Sequence, residues 1–227
     1  MEEIAEYSYV CFIDILGYRH HLDLDRKSGT MEFKTKLSDS MSILDTIDEG
    51  IFSVQAISDT VILSCPRHDK FIEFLKLIRN VFLKFLDNGL LIRGGVAYSR
   101  HFRSKNITYS HALALAYENE SKQAIYPRIV MDKELMAMYL STETLMPITG
   151  TKLLCQLNGV MFLNIISSEA EWALVYEKAR SIFLKDQPIL KNDETAFYKH
   201  LWFQEYIFSS PNRKMSEKRY IPEFKQV

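Results

Sequence analysis

The chain has 227 residues, 47% of them hydrophobic and 25% charged, with 8 glycines and 6 prolines, a composition that excludes disorder, collagen-like repeats and a disulfide-knotted scaffold. Its 28 basic and 29 acidic residues leave a formal charge of −1, so no nucleic-acid backbone is expected as the main partner. The Met1-Glu2-Glu3 start carries no basic n-region and no apolar run nears the ~20 residues of a membrane span, so a cytoplasmic protein without a membrane partner is expected.

Tyr9 to Ile13 is a short β-branched and aromatic run ending at Asp14, with Gly17 three residues on, which reads as a buried strand running into a loop. From about Ser28 to Asp48, Phe33, Leu37, Met41, Leu44 and Ile47 keep helical spacing, and Gly50 follows as a stop. Phe52 to Ile57 and Val61 to Cys65 flank Ser58-Asp59-Thr60 and predict a hairpin. Asp69 is positioned to cap a second helix carrying Phe71, Leu75, Ile78, Phe82 and Phe85, which closes at Asn88-Gly89. A fourth strand, Leu90 to Tyr98, holds Arg93-Gly94-Gly95, and a helix over Ser110 to Ser121 leads to a strand at Tyr126 to Met131. Beyond these, Leu153 to Gln156 and Val160 to Ile165 flank Asn158-Gly159 as a second hairpin, and Glu169 to Phe183 and Asp193 to Phe208 are helical. The charged stretch Asn212 to Arg219 reads as a solvated surface segment.

The order strand, helix, strand, strand, helix, strand is the split pattern of an α+β ferredoxin-like or palm sheet. In that topology the crossover makes the first two strands parallel, and the third runs back between them. Asp14 and the Asp59 turn then lie at the same sheet end. Converging carboxylates repel unless a cation or proton is shared, and hard oxygen ligands suit Mg²⁺ or Mn²⁺. Either aspartate alone could equally cap a helix or shape a turn. Ile15-Leu16-Gly17-Tyr18 offers backbone N–H groups to phosphate oxygens, Arg93 has a guanidinium matched to phosphate or to a surface carboxylate, and Gly94 and Gly95 would permit close packing.

Phe12-Ile13-Asp14-Ile15-Leu16-Gly17-Tyr18, Gln55-Ala56-Ile57-Ser58-Asp59 and Ile92-Arg93-Gly94-Gly95-Val96-Ala97 resemble the three catalytic segments of class III nucleotide cyclases. With Ala116-Tyr117-Glu118 and Tyr126-Pro127-Arg128-Ile129-Val130, the sequence is most similar to the pyrimidine cyclases of the Pycsar antiphage system. The resemblance covers about residues 8 to 132 and implies one cyclase domain over 1–227, with a C-terminal extension from about 150. It further implies that Asp14, Asp59 and the Ile15 carbonyl hold two divalent ions, Mn²⁺ or Mg²⁺, while Gly17, Tyr18 and Ser58 border the triphosphate and Arg93 grips its outer phosphates. Phe12 and Gln55 join the nucleotide site. The implied reaction closes UTP or CTP to its 3′,5′-cyclic monophosphate with release of pyrophosphate. The implied protein is a homodimer whose product reaches a separate cyclic-nucleotide-responsive antiviral effector.

Two departures from the purine cyclases stand out. Gln55 occupies the position where they often carry an adenine-reading Lys, and an amide can read a uracil or cytosine edge. Ala114 and Glu118 fall where they carry an Asn and a transition-state Arg, which leaves Arg128, Lys122, Arg100 and Arg103 as candidate sources of catalytic charge. A purine cyclase and an inactive nucleotide-binding regulator are the alternatives. Cys11, Cys65 and Cys155 are too far apart for a disulfide framework or CxxC site and are expected as buried thiols. His20-His21 reads as a surface pair without metal-ligand spacing, and His101-Phe102-Arg103 with Lys105 as a basic loop.

Overall fold

The computed structural model describes residues 6–104, 106–140, 148 and 150–222; Met1 to Glu3 and Lys105 lie outside them. The chain forms two compact units, Met1–Asn164 and Ile165–Val227. The first is built on one sheet in the order β2-β3-β1-β4-β6-β8-β7, from β1 (Glu6–Ile15), β2 (Ser53–Ile57), β3 (Thr60–Cys65), β4 (Ile92–Arg103), β6 (Ile129–Met131), β7 (Leu154–Leu157) and β8 (Val160–Leu163), with β5 (Thr108–Ser110) pairing β4. β3 is antiparallel to both β1 and β2, and β4 is antiparallel to β1 and parallel to β6. This is the α+β split pattern expected from the element order. The hairpin at 154–163, grouped above with the C-terminal extension, instead continues this sheet through a Val130–Phe162 pair. Its turn has Asn158 at φ 49° and Gly159 at φ 75°, the left-handed pair that a type I′ turn requires.

Alternation along β1 sends Tyr9, Cys11, Ile13 and Ile15 to one face, where α3 (Phe71–Asp87) buries Phe71, Phe74, Leu75 and Ile78. Tyr9 stacks on Phe71 at 4.7 Å between ring centroids. The other face carries Phe12 and Asp14 and is covered over β1 and β4 by α4 (His111–Lys122), whose N-cap Ser110 accepts a hydrogen bond from Leu113 N–H. Gly95 is what lets α4 approach: a Cβ there would stand 2.2 Å from the Ala116 carbonyl oxygen.

Several elements differ from the sequence expectation. The helix expected over Ser28 to Asp48 is preceded by α1 (Tyr18–Ser28), broken at Gly29 in the left-handed region, resumed as α2 (Glu32–Met41) and tightened into a 3₁₀ turn over Ser42–Thr46. Leu22 and Leu24 are exposed and α1 buries no residue, so its apolar pattern is too weak to read. Asp69 does not cap α3; its carboxylate pairs with Arg67. α5 (Lys133–Leu140) and β5 were not expected, and His101-Phe102-Arg103 is strand because β5 pairs with it.

In the second unit, α6 (Glu169–Leu190) and α7 (Glu194–Ser209) bury Trp172, Tyr176, Phe183, Phe203 and Ile207, and Trp172 Nε1–H donates to the Ile207 carbonyl at 2.7 Å. The segment after α7 lies at the surface as expected, with Met215, Ser216, Lys218 and Arg219 exposed, and is tied to this pair: Arg219 pairs with Glu205, the Lys218 carbonyl accepts from Tyr176, and Ile221 just beyond it is buried.

Candidate functional site

Strand register assembles the site. Asp14 lies opposite Thr60 on β3 and opposite Arg93 on β4, so Asp59, in the β2–β3 turn, stands at the sheet end where β1 finishes. Ile57, Thr60, Asp14 and Arg93 form one cross-strand row, and Gln55, Ile62, Phe12 and Gly95 form the next on the same face. Gln55 is half-buried on the edge strand, with Ile57 exposed beside it. Phe12 meets the exposed Tyr117 ring edge-on at 5.3 Å.

Arg93 sits at the centre of a carboxylate cluster. Its Nε–H and Nη2–H both reach Asp14 Oδ2 at 3.3 Å, and its Nε lies 2.6 Å from Glu120 Oε1. Glu120 is only 2% exposed. Burial pushes the Asp14 carboxyl up; Arg93 opposes this, and the neighbouring Asp59 charge adds to the rise. Glu120 is raised for the same leading reason, with Arg93 lowering it and Asp14 raising it. Two carboxylates therefore pair with one guanidinium, with the Asp59 charge acting on Asp14 beside them, and the site is short of positive charge.

Beyond Asp14 the chain turns at Gly17, whose φ of 76° begins α1 without a side-chain cap. The Leu16 N–H is tied to the Leu91 carbonyl at 2.9 Å, while the first-turn N–H groups from Tyr18 onward lack intrahelical acceptors. The Tyr18 ring is packed against Phe33 at 5.4 Å, so its backbone, and not its phenol, is what this loop can present. Ile15 is buried at the strand end and its backbone supports the Asp14 carboxylate. Ser58 occupies the hairpin turn with φ 59°, a conformation a non-glycine residue adopts at a cost of roughly 1 kcal/mol or more.

Asp14 and Asp59 are hard oxygen donors in a negatively charged cluster, which suits a divalent cation such as Mg²⁺ or Mn²⁺. Among the described residues no group of three or more His, Cys, Asp or Glu side chains could hold a metal ion. A cation held by this aspartate pair would complete its shell with backbone, water or substrate oxygens.

Sequence reasoning centred on Ala114 and Glu118 missed Glu120. Ala114 and Glu118 are exposed, and Glu118 pairs along the helix with Lys122, which removes both from the cluster. The available signal was the spacing Ala112, Ala116, Glu120, one helix face of two small buried residues that carries the glutamate onto the sheet. Of the other candidate cations, Arg128 is buried with its guanidinium 5.7 Å from the Tyr126 ring and 5.5 Å from that of Phe162, and Arg103 donates to the Val54 carbonyl. Arg100 is exposed on β4. His20 and His21 are partly buried on α1, the latter stacked on Phe33 at 4.9 Å. Cys11 and Cys65 are buried, Cys155 partly so, and all three are free thiols.

No family model matches the chain, and no curated protein is significantly similar to it. Similar solved structures include the monomeric guanylyl cyclase domain of the RhoGC fusion protein from the aquatic fungus Blastocladiella emersonii, with 13% identity, 70% of this chain and 94% of that one covered, and a TM-score of 0.45. Another is the guanylate cyclase domain of RhGC from Catenaria anguillulae in complex with GTP, with 13% identity, coverage of 70% and 97%, and a TM-score of 0.42. A third is the catalytic core of a rhodopsin-guanylyl cyclase with converted specificity in complex with ATPαS, at 14% identity, coverage of 70% and 96%, and a TM-score of 0.45. Likeness at this level carries neither a family nor an activity over to this chain. Among the described residues no helix is long and apolar enough to cross a membrane.

Proposed function

We propose that the chain is a nucleotide cyclase that converts a pyrimidine nucleoside triphosphate, UTP or CTP, to the 3′,5′-cyclic monophosphate and pyrophosphate. The observation that carries this reading is the meeting of Asp14 and Asp59 at one sheet end, across from Arg93 and directly before an uncapped helix start at Gly17. An aspartate pair beside an arginine and a run of free N–H groups suits a triphosphate with its cations, and a near-neutral protein needs no wider basic surface for it.

Asp14, Asp59 and the Ile15 carbonyl would hold two divalent ions, Mn²⁺ or Mg²⁺, which when bound lower the pKa of the ribose 3′-hydroxyl and offset charge on the departing phosphates. Gly17, Tyr18 and Ser58 border the phosphates through backbone groups, and Arg93 offers them its guanidinium. Phe12 gives the base an aromatic surface, and Gln55, in the same cross-strand row, presents an uncharged donor and acceptor. That pairing suits a pyrimidine edge. In keeping with the resemblance, the enzyme works as a homodimer, and its cyclic product acts as an antiviral second messenger on a separate effector in the cytoplasm.

Incubating the protein with Mn²⁺ and each of four labelled nucleoside triphosphates tests this directly. The expected product is cyclic UMP or cyclic CMP, lost in Asp59→Ala. Preferential use of ATP or GTP makes it a purine cyclase, and no cyclic product from any substrate refutes the enzyme reading.

A further inference from the structure

We propose that Glu120 is a positioning residue for Arg93: it retains the guanidinium when a divalent cation takes Asp14, so that Asp14 passes from an arginine partner to a cation while Arg93 stays beside it. The inference rests on the cyclase reading only in taking Asp14 as a cation ligand. Arg93 is shared between two acceptors of different kinds. Asp14 is partly exposed at the end of β1, next to the Asp59 turn, and its contacts with Arg93 are long at 3.3 Å. Glu120 is 2% exposed on α4 and lies 2.6 Å from Arg93 Nε. A cation on Asp14 and the Arg93 guanidinium compete for the charge of one carboxylate, so each weakens the other there. Without a second anchor, a guanidinium displaced from Asp14 would swing to solvent and carry its charge out of the site.

Glu120 provides that anchor from a helix whose seat is set by backbone. A Cβ on Gly95 would stand 3.0 Å from the Glu120 nitrogen, so the helix at that point is as close to β4 as glycine allows. The buried carboxylate is also costly to leave alone, since an unpaired charge in such surroundings is strongly unfavourable. Arg93 Nε–H is directed at Asp14 Oδ2 and Glu120 Oε1 accepts no hydrogen bond, so Glu120 holds Arg93 as a close ion pair and keeps an acceptor ready for the guanidinium when Asp14 is taken.

The test is Mn²⁺ binding to nucleotide-free protein, followed by the electron paramagnetic resonance of free Mn²⁺, in wild type, Glu120→Gln, Arg93→Gln and the double variant, with circular dichroism to verify folding. Arg93→Gln removes the competitor and is expected to tighten Mn²⁺ binding about threefold to tenfold. Glu120→Gln leaves Arg93 with Asp14 alone and is expected to weaken Mn²⁺ binding about tenfold, an effect that shrinks to about twofold or less in the Arg93→Gln background. A Glu120→Gln effect of equal size in both backgrounds, or none, overturns the proposal. Should Glu120→Gln not fold, looser or unchanged Mn²⁺ binding by Arg93→Gln overturns it independently. Wild type that takes up no Mn²⁺ overturns this proposal and leaves the cyclase reading to the four-substrate assay, whereas the expected binding pattern without any cyclic product defeats the cyclase reading alone.

Discussion

Gly95→Ala probes the contact on which the geometry of the site depends. The added Cβ would meet the Ala116 carbonyl oxygen at 2.2 Å, the Asn119 Cβ at 2.9 Å and the Glu120 nitrogen at 3.0 Å. Two of these are backbone atoms, so no side-chain rotation relieves them. Ordinary contact requires α4 to retreat by roughly 1 Å, and forcing a packed interface apart on that scale costs about 1–3 kcal/mol or more. Ala gains about 0.5–1 kcal/mol over Gly within a strand, which offsets part of the strain. A net loss of about 1–2 kcal/mol corresponds to a melting point lower by roughly 2–8 °C for a chain of this size. Thermal unfolding followed by circular dichroism measures it, with Gly150→Ala as the control, because a Cβ at Gly150 meets nothing within 4 Å. If Gly95→Ala melts within about 1 °C of wild type, α4 is not seated on β4 as described, and the reasoning that places Glu120 against Arg93 fails with it.

Other outcomes follow from the same physical picture. Trp172→Phe removes the Nε1–H donor to the Ile207 carbonyl and part of a fully buried ring, so a loss of about 2–4 kcal/mol is expected in urea unfolding of the protein. Asp14 and Glu120 are both held above their ordinary values, chiefly by burial. In the interval between the ordinary and raised values the folded protein binds more protons than the unfolded chain, so stability falls as pH rises through it. Chelator-treated Asp14→Asn should therefore show a shallower decline in melting temperature across that interval, and an unchanged slope contradicts the assignment. Gln55→Lys places a charge where an uncharged amide faces the candidate base site; pyrimidine turnover is expected to drop about tenfold or more, measured as kcat/KM with UTP and CTP.

Much of the first unit is legible in the chain itself because its signals are local. Tyr9 to Ile13 is a continuous apolar run that ends on a carboxylate, Asn88-Gly89 stops α3 at a left-handed Gly89 with φ 78°, and Ser110 caps α4, each through contacts within a few residues. The convergence of Asp14 and Asp59 followed from topology, since a crossover connection and a hairpin leave few arrangements. Legibility failed where an element's identity is set by distant partners. α1 buries nothing, and β5 and the end of β4 are strands through their pairing with each other. The 154–163 hairpin has a clear turn signal and no local indication of the sheet it joins.

The amino-acid sequence determined the composition-level exclusions, the order of the principal elements and the two aspartates that a palm topology must bring together. It could do so because periodicity, caps and turn chemistry act over a few residues. Only the tertiary structure decided what surrounds those aspartates: that Arg93 is shared between Asp14 and Glu120, that Glu118 turns outward to Lys122, and that Gly95 draws α4 down onto β4. Those facts depend on which face of a helix meets which strand at what distance, and an excess of charge confined to one small cluster is invisible in a chain whose formal charge is −1.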